Sequence, residues 1–282
     1  MRLATSSRGG NEQMERTSND IVVLPLGSGS KGNSIFVGTP AGGVLVDAGF
    51  SFRATLKRLS EAGISPDRIQ AVLVTHEHRD HVAGLGPVAR GLGVPVFMTE
   101  GTYWKLREKP STRDLPETVR ISPGESFVAG NLLVDPVPVP HDAAEPVAFL
   151  MTWGGRRWAI VTDFGYPTTL LINKLKDCDL VLLEANHDEE MLVNGPYPWP
   201  LKTRIRGRFG HLSNVQSASL LERILHPGLK GLALMHLSET NNRPELPYAL
   251  CRRTLDREGA DNIPILVASQ QRPLPGLGLV SG

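Results

Sequence analysis

Between Thr75 and His81 the chain reads THEHRDH, with three imidazoles and the Asp80 carboxylate packed directly behind the apolar run Ala71-Val72-Leu73-Val74. An apolar run of that kind is a strand, and a strand delivers the residues after it to the carboxyl edge of a sheet. His76 and His78 lie two apart and can point the same way to share one metal ion. Asp80 and His81 are adjacent, reach in another direction, and can hold a second ion beside the first. Imidazole nitrogen mixed with carboxylate oxygen suits zinc or manganese, and iron is also compatible. A His-rich surface turn would have no need of this spacing, so the run is read as a metal site.

One such run cannot complete two coordination spheres, and the rest of the chain offers what is missing. His141 ends the alternation Val137-Pro138-Val139-Pro140. Asp163 follows Trp158-Ala159-Ile160-Val161-Thr162 and precedes the turn Phe164-Gly165. His236 ends Leu232-Ala233-Leu234-Met235. Each polar residue caps an apolar run, which is where open α/β sheets place their ligands.

These pieces together (THEHRDH, His141, TDFG at Asp163, LMHLS at His236) resemble the metallo-β-lactamase superfamily, over nearly all of Ile21 to Val267. GSGSKGNS near the start, LEANHD, GHLSN and LMHLSETNN further resemble its YycJ/WalJ branch of bacterial hydrolases. The resemblance implies an α/β fold, a four-layer αββα sandwich of two mixed sheets with helices outside. It implies that His76, His78 and His141 hold one divalent ion, that Asp80, His81 and His236 hold another, and that Asp163 bridges them. It also implies a nucleic-acid phosphodiesterase with 5′-to-3′ DNA exonuclease activity. Thiol-using antibiotic hydrolases of the superfamily carry Cys at the Asp163 motif, so a drug-hydrolysing role is not expected.

His211 in GHLSN is the candidate general acid or phosphate contact. It resembles a His of tRNA 3′-end-processing relatives that is paired with a Glu, and Glu184 in LEANHD stands in the matching place. A carboxylate behind His211 would fix its tautomer. Asp80 is expected both to bind the second ion and to orient a metal-bridging hydroxide. His187 and Asp188 receive no firm role beyond shaping the second-metal side or anchoring the arm described next. Asn241, Asn242 and Arg243 read equally as phosphate contacts or as surface loop, and His226 as structural.

Between Glu190 and Glu222 there is no acidic residue, yet Lys202, Arg204, Arg206 and Arg208 occupy alternate positions. On an extended strand that period puts four cations on one face, where a polyanionic backbone would match them. Tyr197 and Trp199 just upstream could stack on a base, and Pro196, Pro198 and Pro200 stiffen the approach. The turn Gly27 to Ser34 lacks a Walker spacing and reads as a hairpin; the resemblance places it near the site, which leaves a backbone contact to substrate phosphate open.

Composition fits one domain: 282 residues, 40% hydrophobic, 21% charged, net charge +1, enough to bury a large core. Cys178 and Cys251 are the only cysteines and read as reduced packing residues of a cytoplasmic protein. No apolar stretch is long enough for a bilayer. Residues 1–20 read as a disordered tail, 21–268 as the hydrolase domain, and 269–282 as a loose end. Strands are expected at Ile21 to Leu26, Ser34 to Val37, Gly43 to Asp47, Asp179 to Leu183 and Ile263 to Ala268. Helices are expected at Ser51 to Ala62, Val82 to Leu92, Glu100 to Glu108, Tyr166 to Lys176, Leu212 to Leu225 and Pro244 to Arg257. The sequence shows no internal repeat.

The expected function is a two-metal phosphodiesterase acting on nucleic acid, DNA by resemblance. Two alternatives stay open: a small-molecule hydrolase (cyclic phosphodiesterase, lactone or thioester hydrolase) on the same metals, and a non-catalytic nucleic-acid-binding regulator. Protein partners and oligomeric state leave no readable signal.

Overall fold

The computed structural model describes residues 21–109, 112, 114–274 and 277–279. The expected N-terminal tail, residues 1–20, lies outside them. Six strands in chain order build the first sheet: β1 (Ile21–Gly27), β2 (Ser34–Thr39), β3 (Gly42–Val46), β4 (Ile69–Leu73), β5 (Val96–Thr99) and β6 (Thr118–Ile121). Seven more build the second: β7 (Phe127–Ala129), β8 (Leu132–Pro138), β9 (Val147–Trp153), β10 (Arg156–Val161), β11 (Leu180–Glu184), β12 (Gly231–Met235) and β13 (Ile265–Val267). A last strand, β14 (Leu277–Leu279), returns to pair antiparallel with β1.

The two sheets share a plan that no sequence repeat announces. In the first, β1, β2 and β3 pair antiparallel, and β3, β4, β5 and β6 pair parallel. In the second, β7 to β10 pair antiparallel, and β10 to β13 pair parallel. Parallel strands are covered on both faces and need unbroken apolar runs, which is why β11 and β12 are buried at every position.

Between the sheets, Val37, Val46 and Leu73 meet Phe149, Trp158, Leu182 and Met235 in one core. Helices α1 (Phe52–Glu61), α2 (Arg79–Val82), α3 (Leu85–Leu92) and α4 (Glu100–Leu106) follow strands of the first sheet, and its outer face is packed by Leu59, Val88 and Leu106. On the second sheet the helices are α5 (Thr169–Leu175), α6 (Glu189–Asn194), α7 (Trp199–Arg206), α8 (Asn214–Ile224) and α9 (Glu245–Arg257). Leu171, Leu220 and Leu255 carry that outer layer. The result is the expected αββα sandwich.

Two expectations need correction. The single helix read over Val82 to Leu92 is two helices broken at Gly84, where a Cβ would lie 1.7 Å from the Phe50 carbonyl oxygen. That contact, with Gly84 N–H donating to Ala48 O at 2.8 Å, ties the metal turn to the end of β3. Of the C-terminal segment read as a loose end, residues 275–276 and 280–282 lie outside the described residues, and the described ones are held. Gln270 accepts from Lys31 N–H at 2.8 Å and donates to Gly32 O at 2.9 Å, and β14 closes the sheet edge.

Candidate metal centre

All the parallel strands flanking the cleft end at one place. Asp47 follows β3, Thr75 to His81 follow β4, Asp163 follows β10, Glu184 ends β11, and His236 follows β12. Asp47, Asp163 and His236 take left-handed backbone conformations, with φ of 62°, 61° and 57°. Non-glycine residues in that region cost roughly 1–3 kcal/mol each and collect at functional sites. His141, just past β8, reaches the same point from the antiparallel half.

The donor atoms are spaced as ligands of shared ions. His141 Nε2 lies 3.2 Å from His78 Nδ1, and the His76 ring centroid is 4.6 Å from that of His78 and 5.0 Å from that of His141. His81 Nε2 is 3.4 Å from Asp80 Oδ2 and 3.3 Å from Asp163 Oδ2, and His236 Nε2 is 3.5 Å from Asp80 Oδ2. Two ligands each about 2.1 Å from a tetrahedral ion stand about 3.4 Å apart, and these pairs match that edge. The buried atoms His76 Nε2, His236 Nε2 and Asp163 Oδ2 have no hydrogen-bond partner. Buried polar atoms are rarely left so, and cations held by the groups they belong to would satisfy all three. Two triads thus fit a metal, His76/His78/His141 and Asp80/His81/His236, with Asp163 reaching toward both.

Behind the triads, other groups hold the rings. His81 Nδ1 donates to Asp47 Oδ2 at 2.7 Å, His236 Nδ1 to Glu184 Oε1 at 2.9 Å, and His141 Nδ1 to Gly210 O at 3.1 Å. Each bond fixes the tautomer that leaves the other ring nitrogen free to ligate. Burial lowers the pKa of His76 and of His141, keeping both rings neutral with a lone pair to give. For His236, burial pulls down but the Asp163, Asp80 and Glu184 carboxylates prevail and push it up to about 10. His81 likewise rises against burial, through Asp163, Asp47 and Asp80. Asp163 and Asp80, which burial alone would raise, are held well below the usual carboxylate range by these imidazoles. The second triad is therefore a buried excess of carboxylate that demands positive charge, from protons or from a cation.

Residues 43–236, which contain every one of these donors, match the sequence profile of the "Beta-lactamase superfamily domain". The chain belongs to the metallo-β-lactamase superfamily. It is 35% identical over 234 residues to exodeoxyribonuclease YycJ of Bacillus anthracis, covering 83% of this chain and 89% of that protein. To exodeoxyribonuclease WalJ of Streptococcus pneumoniae it is 34% identical over 225 residues, 79% of this chain and 84% of that protein. Among solved structures, the metallo-β-lactamase-fold protein YhfI from Bacillus subtilis superposes with a TM-score of 0.68 at 16% identity, over 91% of this chain and 99% of that one. A diphosphatase of the PhnP family gives 0.64 at 22%, over 92% and 98%. Those two likenesses speak for the fold alone. As a member of this superfamily the protein is a metal-dependent hydrolase.

Within this superfamily member, His211 Nδ1 meets Glu184 Oε1 at 2.8 Å, the pair expected from the sequence. Glu184 is fully buried and does more than that pairing, because it also holds His236 and accepts from the Phe164 and Leu212 N–H groups. Burial would raise it, but His211 and His236 carry it down to about 2. A groove of about 230 Å³ opens over the centre, lined by Ser30, Asp80, Tyr197, Arg204, His211 and Ser238 among others.

The basic arm is a correction. Residues 199–206 form helix α7, not a strand, so Lys202, Arg204, Arg206 and Arg208 do not share a face. Leu201, Arg204 and Ile205, spaced as one helical face, line the groove. Arg204 Nε donates to Asp142 Oδ2 at 2.5 Å. Lys202 is buried and donates to Val193 O at 2.6 Å. Arg206 is exposed, and Arg208 lies over the Tyr166 ring at 4.7 Å.

Other assignments also resolve. Asn241 and Asn242 are buried, and Asn242 ties Ala185, Asn186 and Asn214 together, which leaves neither as a surface phosphate contact. Arg243 is exposed. Asp188 caps α6 through Met191 N–H, His187 is buried with its pKa pushed down to about 4 by that burial, and His226 binds Cys178 O at 3.0 Å. Sequence reasoning missed Asp47, Asn33 and Asp142. Asn33 Nδ2 donates to Asp80 Oδ2 at 3.2 Å, and Asp142 Oδ1 lies 3.5 Å from His141 Nε2. Asp47 carried the same signal as Asp163, an acidic residue capping an apolar run.

Proposed function

We propose that the protein hydrolyses phosphodiester bonds of nucleic acid, and that it acts on DNA from a 5′ end. The carrying observation is the pair of donor triads meeting at Asp163 beneath a groove walled by Arg204. In this reading His76, His78 and His141 hold one divalent cation, Asp80, His81 and His236 hold a second, and Asp163 contacts both. Zinc, manganese or iron suits these donors. A pair of such cations supplies an acidified water and draws charge from the phosphoryl oxygens.

The chain's own groups do the rest. Asp80, partly open to the groove, orients the attacking water by accepting its hydrogen bond. Glu184 stays ionised and keeps the proton of His211 on Nδ1, so that Nε2 is the atom that exchanges a proton with the leaving oxygen. Arg204, pre-set by Asp142, offers its remaining guanidinium N–H groups to a phosphate. The names of the YycJ and WalJ relatives support DNA as substrate, and the length over which they match supports a common activity.

One observation favours a second reading, a hydrolase of small phosphodiesters. Of the four cations read as an arm, Arg204 alone lines the groove, so the long cationic track expected for a polymer is shorter than its sequence suggested. Manganese-loaded protein incubated with duplex DNA labelled at one 5′ end, beside Asp80→Ala, separates the two. Immediate release of labelled mononucleotide or short products, lost in the variant, is the expected result. Intact DNA with zinc, manganese and iron alike would sink the nuclease reading in favour of the small diester.

A further inference from the structure

Phe209 stands 58% exposed in a loop bonded to the donor cluster. Its carbonyl accepts from Asp142 N–H at 3.1 Å, and the next carbonyl, of Gly210, accepts from His141 Nδ1 at 3.1 Å. His211 N–H closes the loop onto Ile205 O at 2.9 Å. From below, the turn after Asp163 packs so closely that a Cβ on Gly165 would lie 2.3 Å from the Arg208 carbonyl oxygen. Phe209 thus sits one residue from the anchor of His141 and two from His211. Its ring is exposed on a backbone tied down on either side by these bonds.

Beside it, Arg208 lies over the Tyr166 ring at 4.7 Å, so a second planar pair adjoins Phe209 on the loop that leads to His211. The segment that carries Arg208 and Phe209 is one-signed, with no acidic residue from Met191 to Leu221, and the carboxylate of Asp142, whose N–H bonds to Phe209, is matched by Arg204. A protein ligand for an aromatic pair would need no such field, whereas a nucleobase carrying its phosphate answers both the ring and the cations.

We propose that Phe209, with the Arg208–Tyr166 pair beside it, is a stacking platform for an unpaired base next to the scissile phosphate. This rests on the nuclease reading above and narrows it to a substrate class, strands presented with at least one unpaired nucleotide at the cleft. A base inside a duplex has both faces covered by its neighbours and cannot stack on a protein ring. Phenylalanine has no hydrogen-bonding group, so the platform is indifferent to base identity.

The test compares wild type, Phe209→Ala and Phe209→Trp, all manganese-loaded, on three substrates: duplex DNA with a short unpaired 5′ overhang, blunt duplex, and bis(p-nitrophenyl) phosphate. The backbone bonds to Asp142 and His141 survive either change. Phe209→Ala is expected to lower the ratio of kcat/KM on the overhang to that on the small diester by about 5- to 100-fold, mainly through KM. Phe209→Trp should restore that ratio. An unchanged ratio in the alanine variant, or loss of the same size in the tryptophan variant, overturns the platform while leaving the nuclease reading in place. Wild-type hydrolysis of the small diester with no attack on either DNA overturns both.

Discussion

Asp47 is the sharpest place to test the organisation of the second triad. Its carboxylate is buried and accepts three bonds: Thr75 N–H at 2.9 Å, Thr75 Oγ1 at 2.9 Å and His81 Nδ1 at 2.7 Å. Asp47→Asn preserves volume, and Asn tolerates the left-handed backbone at φ 62° as well as Asp does. Oδ1 can still accept from Thr75 N–H. The amide nitrogen, however, now donates where Oδ2 accepted, so His81 Nδ1 must become an acceptor and its proton moves to Nε2. That is the nitrogen aimed at Asp80 and Asp163, and a protonated nitrogen cannot ligate. Loss of such supporting partners typically weakens metal affinity 10- to 100-fold, about 1.4–2.7 kcal/mol. The same energy is lost from the metal-dependent part of stability, which for a chain of this size lowers Tm by about 2–5 °C. Competition against a chromophoric chelator counts the weakened ion, and thermal unfolding with and without added manganese reads the coupled loss. Two ions bound with wild-type affinity in Asp47→Asn would refute the tautomer argument.

Three further outcomes follow from the same geometry. Arg204→Ala should lower kcat/KM on DNA at least about tenfold more than Arg206→Ala, because a charge-assisted phosphate contact is worth roughly 1.5–3 kcal/mol and only Arg204 lines the groove; equal losses measured in a side-by-side assay would restore the extended arm. Burial pushes the Cys178 and Cys251 thiols up from 9.0 to about 12, so native protein at pH 8 should react with a disulfide reagent only as fast as it unfolds. A raised folded-state value contributes stability that is complete below pH 9 and is lost as pH climbs toward 12, which an alkaline unfolding series will show.

The donor cluster was legible because each of its segments follows an apolar run, and an apolar run followed by a polar residue means a strand end. The same rule covers Asp47 after Val44-Leu45-Val46, but with no second His beside it the residue looked like an ordinary strand terminus. The basic segment misled because two periods coexist in it. Arginines alternate from 204 to 208, while Leu201 and Ile205 stand four apart, which is helical spacing. Pro200 near the start of α7 agrees with a helix as well, since the first turn has no need of its N–H. The helical period prevailed over the alternation of charges, with Leu201 and Ile205 half-buried along the groove and Lys202 the buried residue of the helix. The C-terminal strand could not be read, because three residues pairing with β1 across the whole length of the chain leave no local pattern.

The left-handed residues at the site suggest how much of it exists before any cation arrives. Each is held by bonds that owe nothing to a metal. Asp47 N–H donates to Leu73 O at 2.8 Å, and His236 N–H donates to Ser28 Oγ at 2.9 Å. The His236 carbonyl accepts from Asn186 Nδ2 at 2.9 Å, and the turn after Asp163 is pinned by Gly165 N–H to Pro140 O at 2.9 Å. Strain of a few kcal/mol is therefore offset by the frame, unlike a zinc finger, whose fold forms only with its metal. Chelated protein should keep its secondary structure and a cooperative unfolding transition, losing Tm but not order. Ser28→Ala should separate the two contributions: it leaves a buried N–H unpaired, costs about 1–3 kcal/mol, and does so equally with and without metal. If the chelated protein instead shows the collapsed circular dichroism of an unfolded chain, or if Ser28→Ala matters only when metal is bound, the centre is assembled by its ions and not by the strand ends.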